Sequence, residues 1–452
     1  MPHSRCIWNY SRRRPHRLGV RAPRALAHLV IALLATFTAS GQQANGEITT
    51  AAAKIRHVFV IMLENKNFND TFETSTQDPY LRKKLVPMGA LLSEYYGIGH
   101  VSLDNYIAMI SGQAPTPDTA NDCVTATGTL YADVQQTGVA SNGQVVAASG
   151  CIYSRETRTL ADQLDSAGYT WKGYMEDMGN DPARESSACG HPLVGGLDNT
   201  QTAQAPSAAV PAGDAYATRH NPFMYFHGII DSPNCAKRVV RLEQLTADLR
   251  DTGTTPNFAL ITPNLCHDAH DGAGTGAEGT LCANGDPGGL TSADKFLRDW
   301  VPKIVASPAY RKDGLLIITF DESASAVDRA VDAQTGKVIL NFTFAGKTCC
   351  HQQPGPNIDG ARPGTVVLSD TPKQQVRWVF DGYGGDRIGA MLLSPFIKPG
   401  TQSNTPYNHY SLLRSLEDIF RLDGYLGYAG NDPANGYILH TLGNDQAIFR
   451  TR

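Results

Sequence analysis

Four short polar segments of this chain carry residue types able to do chemistry, and three of them directly follow apolar runs. Glu64 and Asn65 come after Val58–Leu63, and Asp321 and Glu322 end the stretch that begins with Leu315. His267, Asp268, His270 and Asp271 fall within five residues, just past Phe258–Thr262. Ser102 stands in G-H-V-S-L-D-N-Y, where a glycine-containing loop opens into a helix-forming run. Two adjacent acids at the end of a buried strand repel each other unless a cation or bonded partners compensate. Together with Glu64 and Asn65 they form a candidate oxygen-rich site for a hard divalent cation, of no particular identity. A serine at a helix start meets free backbone N–H groups and a favourable dipole, which suits a nucleophile attacking phosphorus. The plainer readings are solvated strand ends, an N-cap serine, and a polar loop pinned by Cys266. No serine lies in G-x-S-x-G, which argues against an esterase triad.

The elements that must position these groups are legible from apolar patterning. Val58–Leu63 reads as a strand buried on both faces, and Phe258–Thr262, Leu315–Phe320, Ala390–Leu393 and Tyr169–Met175 read as further strands. Helices are predicted over Ser102–Ser111, Thr159–Ala167, Arg241–Asp251, Ser292–Ala306 and Tyr410–Phe420, with Gly112 and Gly168 as stops. This alternation predicts an α/β fold with a mostly parallel sheet covered by helices. Two loop-rich insertions interrupt it, 186–221 and 323–386, both long for simple connections. In open α/β sheets ligands bind at the carboxyl ends of the strands, where the acidic segments fall.

The first 41 residues have the layout of a signal peptide. Met1–Arg24 holds seven arginines and no acid, Ala25–Ala39 is apolar, and Ala39-Ser40-Gly41 is small. The apolar run is shorter than the ~20 residues of a spanning helix, so no stable membrane span is expected. Losing those seven arginines leaves 32 basic against 43 acidic residues, a net charge of −11. Such a surface does not attract nucleic acid. Eight cysteines remain, at 123, 151, 189, 235, 266, 282, 349 and 350, with no C-x-x-C pair. An even count in an exported chain predicts disulfides, and neighbours paired in order would each close a polar loop. Secretion, or export to a periplasm, follows.

The segments taken together resemble one family. M-L-E-N-K-N-F is similar to the M-M-E-N-R-S-F signature of the bacterial phospholipase C and acid phosphatase phosphoesterases, and G-H-V-S-L-D-N-Y to their H-P-S-x-P-N-Y. I-T-P-N-L-C-H-D-A-H-D, I-T-F-D-E-S, S-P-F-I-K-P-G-T and Y-N-H-Y-S-L-L-R-S-L-E-D-I-F follow in family order. The resemblance implies an alkaline-phosphatase-like α/β/α sandwich, a catalytic domain over 55–452. It implies Glu64, Asn65, Ser102, Asp321 and Glu322 as metal ligands, with Ser102 also the nucleophile. Asn105 becomes a phosphate donor and His270 the general acid, with Asp271, His220 and His409 around the substrate. The family often has Asp-Asp where this chain has Asp321-Glu322. The expected activity is secreted, metal-dependent phosphomonoester hydrolysis through a phosphoserine. The alternatives are a phospholipase C acting on phospholipids and, from a different class, a non-catalytic extracellular binding protein on the same fold.

Overall fold

In the parallel core each apolar run forms a strand with no polar face, because helices cover the sheet and leave no side in water. The structure, a computed structural model, describes residues 51–125, 128–272, 281–358 and 363–450. The expected leader at 1–41 lies outside the described residues. The main-sheet strands are β1 His57–Leu63, β2 Ala90–Leu92, β3 Trp171–Met175, β4 Val239–Arg241, β5 Phe258–Thr262 and β6 Gly314–Phe320. After them come β7 Ala326–Val331, β8 Val338–Phe344, β9 Pro363–Asp370 and β10 Gln374–Asp381, then β11 Ala390–Leu393 and β12 Thr401–Ser403.

Eight strands form the large sheet in the order β4-β3-β5-β1-β6-β11-β2-β12. Its pairings are parallel from β4 across to β6, antiparallel on either side of β11, and parallel again between β2 and β12. Every residue of β1 and of β6 is buried. The two strands run in register from His57 opposite Gly314 to Leu63 opposite Phe320. Residues that follow them therefore emerge level, at one edge of the sheet. That register positions the site.

The main helices are α1 Ser102–Ser111, α2 Leu160–Ser166, α3 Gly289–Ala306, α4 Pro308–Asp313 and α5 His409–Phe420. Helix α1 packs on α5 and α2, and α3 packs on α4. Start and stop signals behave as their chemistry dictates. Thr159 caps α2 in a reciprocal box with Asp162, Asn408 caps α5, and Gly112 ends α1 in the left-handed region. All four disulfides join sequence neighbours as expected: Cys123–Cys151, Cys189–Cys235, Cys266–Cys282 and Cys349–Cys350.

Two expectations are corrected. The helix expected over 241–251 is instead the last residue of β4 followed by a short helix, Gln244–Asp248. The 323–386 insertion is not loop-rich: it carries a separate four-stranded sheet in the order β7-β8-β10-β9. Its strands are half-exposed or exposed, so they lack the solid apolar runs that mark the main sheet. The 186–221 stretch does stay loop-like, with only a two-residue strand and a single turn of 3₁₀ helix.

Helix α5 contains a buried acid with a measurable consequence. Glu417 is about fully buried and accepts a hydrogen bond from Leu426 N at 2.8 Å. Burial pushes its carboxyl up to about 8. The folded chain therefore keeps a proton that the unfolded chain releases above the ordinary carboxylate range. Stability from this group falls as pH rises toward 8. Urea unfolding should show wild type losing more stability between about pH 5.5 and about pH 8.5 than Glu417→Gln does. Equal losses in the two proteins would contradict the assignment.

Candidate active site

The ends of β1 and β6 are laced together by their own polar groups. Asn65 N donates to Asp321 Oδ1 at 2.9 Å, and Glu322 N donates to the same oxygen at 2.6 Å. Asn65 Nδ2 donates to Glu322 Oε1 at 2.7 Å. Asn65 takes a positive φ of 43°, a conformation asparagine tolerates better than most residues. Its side-chain amide is thus fixed with the Nδ2 edge toward Glu322, leaving Oδ1 buried and without a hydrogen-bond partner.

Ser102 is the first residue of α1, and Val101 occupies the cap position before it. The N-cap reading of this serine is therefore replaced. Val101 has φ 80°, an outlier for a β-branched residue, and strain of that kind gathers at functional sites. Its N–H donates to Glu322 Oε2 at 3.0 Å, and His100 Nδ1 bonds the same oxygen. The other ring nitrogen of His100 meets the Ala345 carbonyl at 2.9 Å. Ser102 Oγ donates to Glu64 Oε2 at 2.8 Å. One turn along α1, Tyr106 donates to Glu64 Oε1 at 2.6 Å. A Cβ on Gly99 would meet the Asp104 carboxylate, which packs closely against this loop.

The acids are crowded and dry. Burial, then Asp321 and Asp268, pushes Glu64 well above the carboxylate range. Burial and then Glu322 push Asp321 up to about 7. Asp268 is raised by burial and by Asp271. Among the described residues no three histidine, cysteine or acid side chains stand grouped as a ready metal cage. The fit to a cation rests on orphaned oxygens. Asn65 Oδ1, Asp321 Oδ2 and Asp268 Oδ2 are buried without a hydrogen-bond partner. Hard oxygen donors of this kind suit a divalent cation. Of the expected ligands, Asn65 and Asp321 are thus placed to hold one, with Asp268 as a further oxygen donor, whereas both oxygens of Glu64 accept from Ser102 and Tyr106. Glu322 differs from the expectation, since its two oxygens serve Asn65, Val101 and His100.

Above Ser102 lies a cavity of about 360 Å³ bordered by Lys66, Arg219, His270 and Asp122. Arg219 faces Asp122 at 3.4 Å and donates to Gln201 O at 3.0 Å. Desolvation, followed by the Lys66 and Arg219 charges, shifts His270 downward, although its side chain is 42% exposed at the cavity. Its Nδ1 stands 3.3 Å from Asp271 Oδ1. His220 stacks on Tyr106 at 5.3 Å, with Nε2 3.4 Å from Glu64 Oε1 and Nδ1 3.6 Å from Asp268 Oδ2. Burial, and then Arg219, hold His220 well below the usual imidazole range. The far wall is apolar and comes from the second sheet: Val327, Phe342, Phe344 and Trp378.

Two expected substrate contacts do other work. Both hydrogens of Asn105 Nδ2 are used, on Gly99 O and Asp104 Oδ1, while its Oδ1 accepts from Ile98 N and Gly99 N. Asn105 holds the loop before Ser102 and has no donor left for phosphate. His409 is fully buried behind the site, bonding the Asp321 carbonyl at 2.6 Å and Tyr95 OH at 3.2 Å. The sequence reading missed Tyr106, His100, Lys66 and Arg219. Tyr106 had a signal available, four residues past Ser102 on one helical face. Lys66 and Arg219 flank Asn65 and His220 in the chain but give no sign of facing one cavity.

Comparison with known proteins places the chain. The Phosphoesterase family matches residues 75–423. A phosphate-repressible acid phosphatase of Penicillium chrysogenum is 25% identical over 254 residues, 56% of this chain and 46% of that protein. An acid phosphatase of Aspergillus fumigatus is 22% identical over 269 residues, 59% of this chain and 44% of that protein. This chain spans about half the length of these fungal relatives. A phosphatidylinositol-3-phosphatase of Mycobacterium tuberculosis is 21% identical over 420 residues, 93% of this chain and 94% of that one. Among solved structures, an alkaline phosphatase superfamily protein from Vibrio parahaemolyticus has a TM-score of 0.42 at 13% identity, covering 84% of this chain and 70% of that one. With the family's match running from residue 75 to residue 423, through every main-sheet strand but β1 and through Ser102, Asp321 and Glu322, this chain belongs to the phosphoesterase family.

Proposed function

We propose that this protein is an exported phosphatase that hydrolyses phosphate monoesters through a phosphoserine at Ser102. The observation that carries the reading is the Ser102 hydroxyl, bonded to buried Glu64 at 2.8 Å and bordering a cavity that also holds Lys66 and Arg219. Two cations beside one nucleophile suit a dianionic monoester better than a monoanionic diester. The acid phosphatase relatives support the same class of substrate. Four disulfides support an oxidising compartment.

In the first step Ser102 Oγ bonds to phosphorus as the ester P–O bond breaks, and the alcohol leaves with a proton from solvent. Glu64 Oε2 is positioned to take the hydroxyl proton, while Tyr106 fixes the other oxygen of the same carboxylate. Lys66 and Arg219 hold the phosphoryl oxygens. His270 borders the same cavity with its ring 3.3 Å from Asp271, and we assign it a hydrogen bond to the phosphoryl group. In the second step water attacks phosphorus and gives one proton back to solvent, the P–Oγ bond breaks to release inorganic phosphate, and Glu64 returns its proton to Ser102. A divalent cation on Asn65 and Asp321 would supply charge neutralisation and ease loss of the serine proton.

Two measurements test this reading. Ser102→Ala should lower kcat on p-nitrophenyl phosphate by at least roughly a thousandfold, ~4 kcal/mol of barrier. Its melting temperature should move by only a few degrees. Retention of a tenth or more of the activity would return Ser102 to a structural role. Asp321→Asn should lose bound divalent metal by mass spectrometry, and the wild type's rise in melting temperature on adding that metal should disappear. If stripped wild type neither binds nor is stabilised by any divalent cation, the ligand assignment fails.

A further inference from the structure

The second sheet lines the cavity with Val327, Phe342, Phe344 and Trp378, and its mostly apolar face continues outward past them, broken by Arg329, Ser369 and Gln374; nothing in the phosphate chemistry requires it. Val327 lies opposite Phe342, Phe342 opposite Trp378, and Trp378 opposite Val366, so these four form one row across β7, β8, β10 and β9. Side chains two residues apart share a face. The row is therefore extended outward by Leu340 and Val376, which are paired, and then by Val338 opposite Val331. From Phe342 to Val338 the surface runs about 13 Å along the strand. Arg329 is the one charged residue placed with these rows, on the β7 strand.

This surface is fixed relative to Ser102. The Phe344 ring lies 5.1 Å from His100, 5.6 Å from Trp378 and 4.9 Å from Phe380. His100 also ties the Ala345 carbonyl to Glu322. Val327, Val331 and Val366 are about half exposed, a costly arrangement for a sheet with no apolar occupant. We propose that the β7–β10 sheet recognises the alcohol part of the substrate, and that the preferred substrates are monoesters of extended apolar alcohols. The inference rests on the phosphomonoesterase reading above. The phosphate would sit by Lys66 and Arg219, with the apolar chain along the Trp378 and Phe342 row.

The test is a chain-length series of ethyl, butyl and octyl phosphate below their micelle concentrations, with 1-naphthyl phosphate as a planar comparison. Wild type should show kcat/KM rising at least tenfold from ethyl to octyl, carried by KM. The octyl-to-ethyl ratio should collapse toward one in a Trp378→Ala, Phe342→Ala double variant. Val327→Lys, at an exposed position of the same row, should lower the ratio too and serves if the double variant does not fold. A flat wild-type series, or a ratio that survives in the variants, overturns the proposal. So does a preference for 1-naphthyl phosphate without a chain-length trend, which would limit recognition to the Phe344–Trp378 corner. If no ester at all is turned over, the phosphatase reading is what fails. Octylphosphonate should then still quench tryptophan fluorescence in wild type and not in Trp378→Phe, and absence of that difference overturns the wall itself.

Discussion

Everything at this site depends on keeping several acids dry at the ends of two adjacent parallel strands. Because β1 and β6 run in register, Glu64 and Asp321 leave the sheet side by side. Desolvation and mutual repulsion both oppose their ionisation. Hydrogen bonds offset part of that cost. Asp321 accepts from two backbone N–H groups, Glu64 from Ser102 and Tyr106, and Glu322 from Asn65 and Val101. Each of these bonds also fixes something needed for chemistry: the amide of Asn65, the loop before α1, the hydroxyl of Ser102. What the hydrogen bonds leave over is a set of unpartnered oxygens, and that residue of unmet charge is the argument for a cation.

How much of this was legible in the sequence follows from where the information resides. The central strands were legible because solid runs such as Val58–Leu63 have few other uses, and the position of the acids just past them followed at once. The disulfide pairing was legible because neighbours in sequence closed short polar loops. The partners of each polar group were not. Asn65 meets Asp321 across 256 residues, and only strand order and register bring them together. Asn105 and His409 lie in the right segments, yet their side chains turn toward the backbone of Ile98 and Gly99 and of Asp321. Segment membership places a residue near a site; hydrogen-bond geometry decides what it faces.

The second sheet was obscured for a different reason. Val338–Phe344 and Gln374–Asp381 place apolar residues on one face of half-exposed strands, between glycines, prolines and charged turns. Weak, interrupted patterns of that kind are easily read as loop. Their partial exposure is also what gives them a use, since a face fully buried in the core would be closed to substrate. The cavity therefore joins two chemistries. Lys66, Arg219 and the Ser102 hydroxyl line one side, from just past β1, from the 186–221 insertion and from the start of α1, and aromatic rings line the other, from the 323–386 insertion.

The central claim is that Ser102, held by Glu64, bonds covalently to phosphorus. Stereochemistry at phosphorus tests it directly. A phosphate monoester made chiral with oxygen isotopes can be turned over in the presence of an acceptor alcohol, and the configuration of the transferred phosphoryl group read by NMR. Two in-line displacements through phosphoserine predict net retention. Net inversion would mean a single displacement with no covalent intermediate, and would contradict the account.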